Sequence, residues 1–217
     1  MKQAYTQEQY DIVYRFAKTH KHGLHIMMLL EAGISRSELL GLRWEDLDIS
    51  KKEIKINQGL VTLRNADTEK WVTESDGLKN RHRQRTIPLV NQGLLDRLSQ
   101  HPRIISVGGD KTRGTRQKTV ATTHVFYSTK GKCFQPNNWD KRAYKQFMSD
   151  LSAAHPAIPL LNAHELRHTR ATLWLAQGVS PLMVAKLLGH KDLKMLLNVY
   201  DHTTTDTLRQ ALSASTT

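Results

Sequence analysis

Between Glu53 and Leu89 the chain changes its hydrophobic period, and that change limits the fold more than any other feature. Ile54 and Ile56 alternate with Glu53, Lys55 and Asn57, the two-residue repeat of a half-buried strand. Trp71-Val72 and Thr86-Ile87-Pro88-Leu89 form two further β-like runs. Turn residues stand between them at Asn65-Ala66-Asp67 and Ser75-Asp76-Gly77. The stretch predicts a small antiparallel sheet of about three strands.

On both sides of it the period is helical. Thr6 with Gln9 is a capping-box pattern, followed by Tyr10, Val13 and Ala17 with Ile12 and Phe16 at helical spacing. A second helix over roughly 22–31 stops at Gly33, and a third carries Glu38-Leu39-Leu40 and ends near Trp44-Glu45-Asp46. Residues 92–100 make a short amphipathic helix, and His101 to His124, with its glycines and basic residues, reads as a long surface loop. Pro136 opens a helix with Trp139, Phe147, Met148 and Leu151, and His164 to Gln177 is the next, closed by Gly178. Ser180-Pro181 pairs an N-cap with proline at the first helical position, and Gly189 ends that helix. The expected class is α+β, mostly helical, with one three-stranded antiparallel sheet.

Composition narrows the function. In 217 residues Lys and Arg number 32 against 20 Asp and Glu, a formal charge of +12, which favours a polyanionic partner. The single cysteine, Cys133, excludes an internal disulfide framework and a Cys-based zinc cluster. No apolar run approaches the ~20 residues of a membrane span, and Met1-Lys2-Gln3-Ala4-Tyr5 lacks the apolar core of a secretory signal. A soluble, intracellular, nucleic-acid-binding chain is expected.

His164-Glu165-Leu166-Arg167-His168 matches H-E-x-x-H, which on a helix sets two imidazoles on one face, as in zinc proteases, with His190 as a third ligand. Arg167 would then put a fixed positive charge beside the cation, which weighs against the zinc reading. The other reading takes His164 and Arg167, at i and i+3, as phosphate-facing groups. Further on come Leu188-Gly189-His190 and, ten residues later, Tyr200, whose hydroxyl can attack phosphorus if cations stabilise the phosphoryl oxygens.

Taken in order, His164-x-x-Arg167, Leu188-Gly189-His190 and Tyr200, after Glu38-Leu39-Leu40-Gly41-Leu42-Arg43-Trp44-Glu45-Asp46, resemble the catalytic domain of the tyrosine recombinase (phage integrase) family. The resemblance runs from about Thr6 to His202. It implies the tyrosine-recombinase catalytic fold over 1–200, with 201–217 a tail that packs on a neighbouring protomer. The implied activity is site-specific cutting and rejoining of duplex DNA by a tetramer through a 3′-phosphotyrosyl link, without metal, ATP or other cofactor. Tyr200 would be the nucleophile, His164, Arg167 and His190 would hold the phosphate, and Lys79 would protonate the leaving 5′ oxygen. Arg81, Arg83, Arg85, Lys111 and Arg113 would contact the DNA backbone. The resemblance begins where a catalytic domain would, so the family's N-terminal core-binding domain is expected to be missing from this sequence, and a cytoplasmic location on bacterial DNA is implied.

One position departs from the pattern. The family's first arginine stands three residues before the Glu of Glu-Leu-Leu, and Ser35 occupies that place in Gly33-Ile34-Ser35-Arg36-Ser37-Glu38. Arg36 lies one residue later, about 100° around a helix, and is expected to reach the phosphate from the helix start, with Arg43 as the substitute. Three other readings remain open: a DNA-binding relative impaired in catalysis, a type IB topoisomerase, and the zinc hydrolase.

Overall fold

The structure is a computed structural model that describes residues 3–64, 71–77, 83–108 and 117–190, with backbone alone for 63–64 and 71–77. Helix α1 (Gln7–Thr19) starts on the expected capping box: the Thr6 side chain accepts from the Gln9 amide and the Gln9 side chain accepts from the Thr6 amide. It buries Tyr10, Val13, Tyr14 and Ala17. Helix α2 (Gly23–Ala32) is apolar nearly all round, and Ile26, Met27, Met28, Leu29 and Leu30 are almost wholly buried. A helix with no polar face must lie inside, and α2 packs against α1, α3, α4 (Gln92–Ser99) and α7 (Ala163–Ala176). Gly33 ends it in the left-handed region at φ 60°.

Helix α3 (Arg36–Gly41) is shorter than the sequence suggests, because Trp44–Asp46 forms a separate 3-10 turn. Strands β1 (Leu47–Asp48), β2 (Glu53–Ile56) and β5 (Arg85–Pro88) make the antiparallel three-stranded sheet in the order β1-β2-β5, with Ile54 opposite Ile87. Ile54, Ile56 and Ile87 face the core while Lys55 and Thr86 face out, so the alternation was read correctly and the strand set was not. The Trp71-Val72 run belongs to β4 (Trp71–Gly77), which pairs with β3 (Gln58–Arg64) in a separate ribbon. Ser75-Asp76-Gly77, expected as a turn, is the end of β4, where inter-strand pairing overrides local turn preference.

The expected loop 101–124 also contains structure. Strands β6 (Ile104–Val107) and β7 (Lys118–Ala121) pair antiparallel with Ile105 opposite Val120. Beyond it, α5 (Pro136–Trp139), a π turn (Asp140–Tyr144) and α6 (Lys145–Ala154) follow without a break. Trp139, Phe147 and Leu151 are wholly buried. Helix α8 (Pro181–Leu188) has the predicted Ser180 cap and ends at Gly189, φ 69°. Among the described residues no helix is long and apolar enough to cross a membrane.

Candidate active site

The site is organised around a buried carboxylate. Ser35 and Glu38 close a capping box at the start of α3: the Ser35 hydroxyl accepts from the Glu38 amide, and the Ser35 amide donates to Glu38 Oε2 at 2.8 Å. This turns the Glu38 carboxylate inward, 1% exposed, where three arginines meet it. Arg85 Nη1 donates to Oε1 at 2.9 Å and Nη2 to Oε2 at 3.2 Å, the two-pronged geometry that suits guanidinium and carboxylate. Arg167 Nη1 donates to Oε2 at 3.3 Å, and Arg83 Nη2 lies 3.7 Å from Oε1.

The end of α8 supplies the other acceptors. Its last carbonyls have no partner inside the helix, and Arg85 Nε takes that of Leu187 at 2.6 Å while Arg167 Nη2 takes that of Leu188. Gly189 then turns the chain. A Cβ there would stand 2.9 Å from Arg85 Nη1 and 3.3 Å from Arg83 Cα, so a side chain would displace the Arg85 guanidinium, and φ 69° favours glycine. The turn delivers His190 beside the arginines, with its Nδ1 buried and unpartnered.

Three guanidiniums share one carboxylate, which leaves the cluster with a net charge of +2. Burial alone would push the Glu38 carboxyl up; hydrogen bonds and charge from Arg85, with the charge of Arg167, outweigh it and hold it at about 2. Burial, then the charges of Arg167 and Arg85, bring His190 down to about 4, so its imidazole is neutral at pH 7. Burial and the neighbouring Arg85 and Arg83 lower Arg167 to about 10, still charged at neutral pH. A half-buried excess of positive charge beside a neutral imidazole suits an anionic ligand carrying oxygen acceptors.

His164 stands in the first turn of α7, exposed, three residues before Arg167, where Asn162 caps the helix. Glu165, the base of the zinc reading, accepts from the Asn162 amide at 2.8 Å and closes the α7 capping box. Among the described residues no three His, Cys, Asp or Glu side chains are grouped to hold a metal ion.

Arg36 does not join the cluster. It pairs with Asp140 of the π turn and lines a cavity of about 570 Å³ with Ser35, Tyr144 and His164. Arg43 is also elsewhere, on Glu45 at 3.1 Å. Lys79, Arg81, Lys111, Arg113 and Tyr200 lie outside the described residues. Glu38 as the anchor and Asp140 as the partner of Arg36 were not anticipated. The capping-box spacing Ser35 to Glu38 was a signal for the first, but its partners stand 47 and 129 residues away.

The phage integrase family model matches residues 3–206. A tyrosine recombinase XerC-like protein of Caldanaerobacter subterraneus is 25% identical over 203 residues, covering 92% of this chain and 50% of that protein. The transposase of transposon Tn916 from Enterococcus faecalis is 26% identical over 212 residues, covering 93% and 48%. The chain thus spans about half the length of these relatives. Among solved structures, the Tn1549 transposon integrase in complex with transposon right end DNA superposes with a TM-score of 0.77 at 23% identity, covering 100% of this chain and 67% of that one. XerA recombinase superposes at 0.65 with 17% identity, covering 99% and 65%. With the family match running over nearly the whole sequence and the same fold recurring in recombinases and integrases, the chain belongs to the phage integrase family.

Proposed function

We propose that this chain is the catalytic part of a site-specific DNA recombinase that cuts and rejoins duplex DNA for integration or excision of a mobile element. The observation that carries the reading is the net positive cluster of Arg83, Arg85 and Arg167 on Glu38, set beside the neutral His190. In the proposed reaction the Tyr200 hydroxyl oxygen bonds to phosphorus and the bond from phosphorus to the 5′ oxygen breaks. The 3′ side of the strand stays on the tyrosine, the 5′ oxygen takes a proton from Lys79, and the proton of the Tyr200 hydroxyl is released. The charge on the phosphoryl oxygens is met by Arg167 and by hydrogen bonds from His190 and His164. The phosphotyrosyl link conserves the bond energy, so the reverse attack by a 5′ hydroxyl rejoins strands.

Duplex DNA and a homotetramer assembled on it are the proposed partners, supported by the charge of +12 and by a lambda integrase tetramer bound to a Holliday junction, of TM-score 0.50 to this chain. The test is covalent trapping in EDTA on a nicked duplex that carries the ends of the DNA segment encoding the gene. A protein–DNA adduct on a denaturing gel is expected for wild type and none for Tyr200→Phe, with DNA binding retained in both. An adduct that survives in Tyr200→Phe removes Tyr200 as nucleophile. Duplex binding without an adduct in wild type favours the catalytically impaired relative.

A further inference from the structure

The family pattern asks for an arginine at position 35, and the structure gives Ser35 a different task. Its hydroxyl and amide are both committed to Glu38 in the α3 capping box. Arg36 begins α3 and stands two residues from Glu38, about 200° around the axis, so the two side chains leave the helix on opposite sides. Arg36 accordingly pairs with Asp140 in the cavity it shares with His164.

Arg83 has the properties that position 35 lacks. Its guanidinium lies 3.7 Å from Glu38 Oε1, on the carboxylate that also binds Arg167. That separation makes an ion pair but exceeds hydrogen-bond length, so Glu38 positions the fork without occupying its donors. The side chain is 46% exposed, against 5% for Arg85 and 10% for Arg167. Of the three guanidiniums it is the most open to solvent, and hence to a phosphate approaching from the surface. Its backbone is fixed from two sides, since its carbonyl accepts from Arg85 Nη1 at 2.9 Å and its Cα lies against Gly189, next to His190.

We propose that Arg83 is the catalytic arginine that shares the scissile phosphate with Arg167, in place of the arginine missing at position 35. The assignment rests on the recombinase reading, and two measurements separate the failure of one from the failure of the other. Inorganic phosphate is titrated into wild type, Arg83→Gln, Arg83→Lys and Arg36→Gln while the His190 ring resonances are followed by NMR. Arg83→Gln should weaken phosphate at least fivefold more than Arg36→Gln does, with Arg83→Lys between wild type and Arg83→Gln because it keeps the charge and loses the fork. Thermal unfolding of each variant checks that the fold is intact, as expected for a half-exposed side chain. An equal or larger loss in Arg36→Gln, or a wild-type His190 that does not respond to phosphate, overturns the assignment.

The second measurement is the rate of adduct formation on the nicked duplex. Arg83→Gln should slow it by about 10²–10³, the cost of removing one donor to a developing oxyanion. A slowing below tenfold overturns the assignment. A wild-type chain that shows the phosphate response but never forms an adduct defeats the recombinase reading and leaves Arg83 as an anion-binding group.

Discussion

Glu38 lies between opposing demands. Burial favours its neutral form, yet three cations need its charge, and the cations prevail. Its carboxyl titrates at about 2 in the folded chain against an ordinary 4.5. Its contribution to stability is therefore complete above about 4.5 and is lost as the pH falls towards 2. His190, at about 4, and His25, at about 3, are both held below 6.5, chiefly by burial. The unfolded chain takes up those protons first, so stability already declines as the pH falls from 6.5 to 4. Urea midpoints measured across this range should drop below pH 6.5 and drop further below 4.5. Glu38→Gln should make the decline below 4.5 shallower, leaving the share of His190 and His25, and cost on the order of 3–5 kcal/mol at pH 7, because it leaves buried guanidiniums without their counter-charge. A midpoint that stays flat from pH 6.5 to 3 would contradict these shifts.

At the scale of elements, the site is assembled from three helix ends and from the start of strand β5, which brings Arg85 and, two residues before it, Arg83. The start of α3 presents Glu38, the first two turns of α7 present His164 and Arg167, and the last turn of α8 presents two carbonyls and then His190. Helix ends suit this purpose because their unpaired backbone groups bind side chains from other elements. Gly189 joins α8 to His190 in a conformation that β-carbon sterics disfavour. Gly189→Ala should cost about 1–2 kcal/mol in urea unfolding and should loosen Arg85, whose Nη1 the new methyl would meet. The sequence announced helix ends at Ser180-Pro181, Gly33 and Gly189, since caps act over three or four residues, while the caps at Ser35 and Asn162 came from the structure. It did not announce that β4 leaves the sheet for β3, or that β6 and β7 pair, because strand partners are chosen by contacts distant along the chain.

Over the whole molecule, an excess of twelve positive charges accompanies a core built on α2, and that helix is tied to its neighbours by the buried carboxylate of Glu31. Glu31 of α2 accepts from Tyr10 at 2.6 Å, Asn91 at 2.8 Å and Arg170 at 3.2 Å, which ties α1, the cap of α4 and α7 to the central helix. An excess of positive charge facing DNA should show in the salt dependence of binding. Contact with 6–10 phosphates would lower duplex affinity by about 10³–10⁵ between 50 and 200 mM salt, read from fluorescence anisotropy of a labelled duplex, and a salt-independent affinity would argue against a phosphate-facing surface. The sequence by itself determined the helical blocks around a short sheet, the excess of positive charge and the order of the His, Arg and Tyr motifs, because periodicity, caps and net charge are local or additive properties. The tertiary structure decided which arginines meet. In the linear pattern Arg36, Arg43, Arg83 and Arg85 are all cations near a motif. Folding sends Arg36 to Asp140 and Arg43 to Glu45, and brings Arg83 and Arg85 to Glu38 beside Arg167. Arg43 finds its partner two residues away. The partners of Arg36, Arg83, Arg85 and Arg167 are set by which elements converge in space, and spacing along the chain carries no record of that.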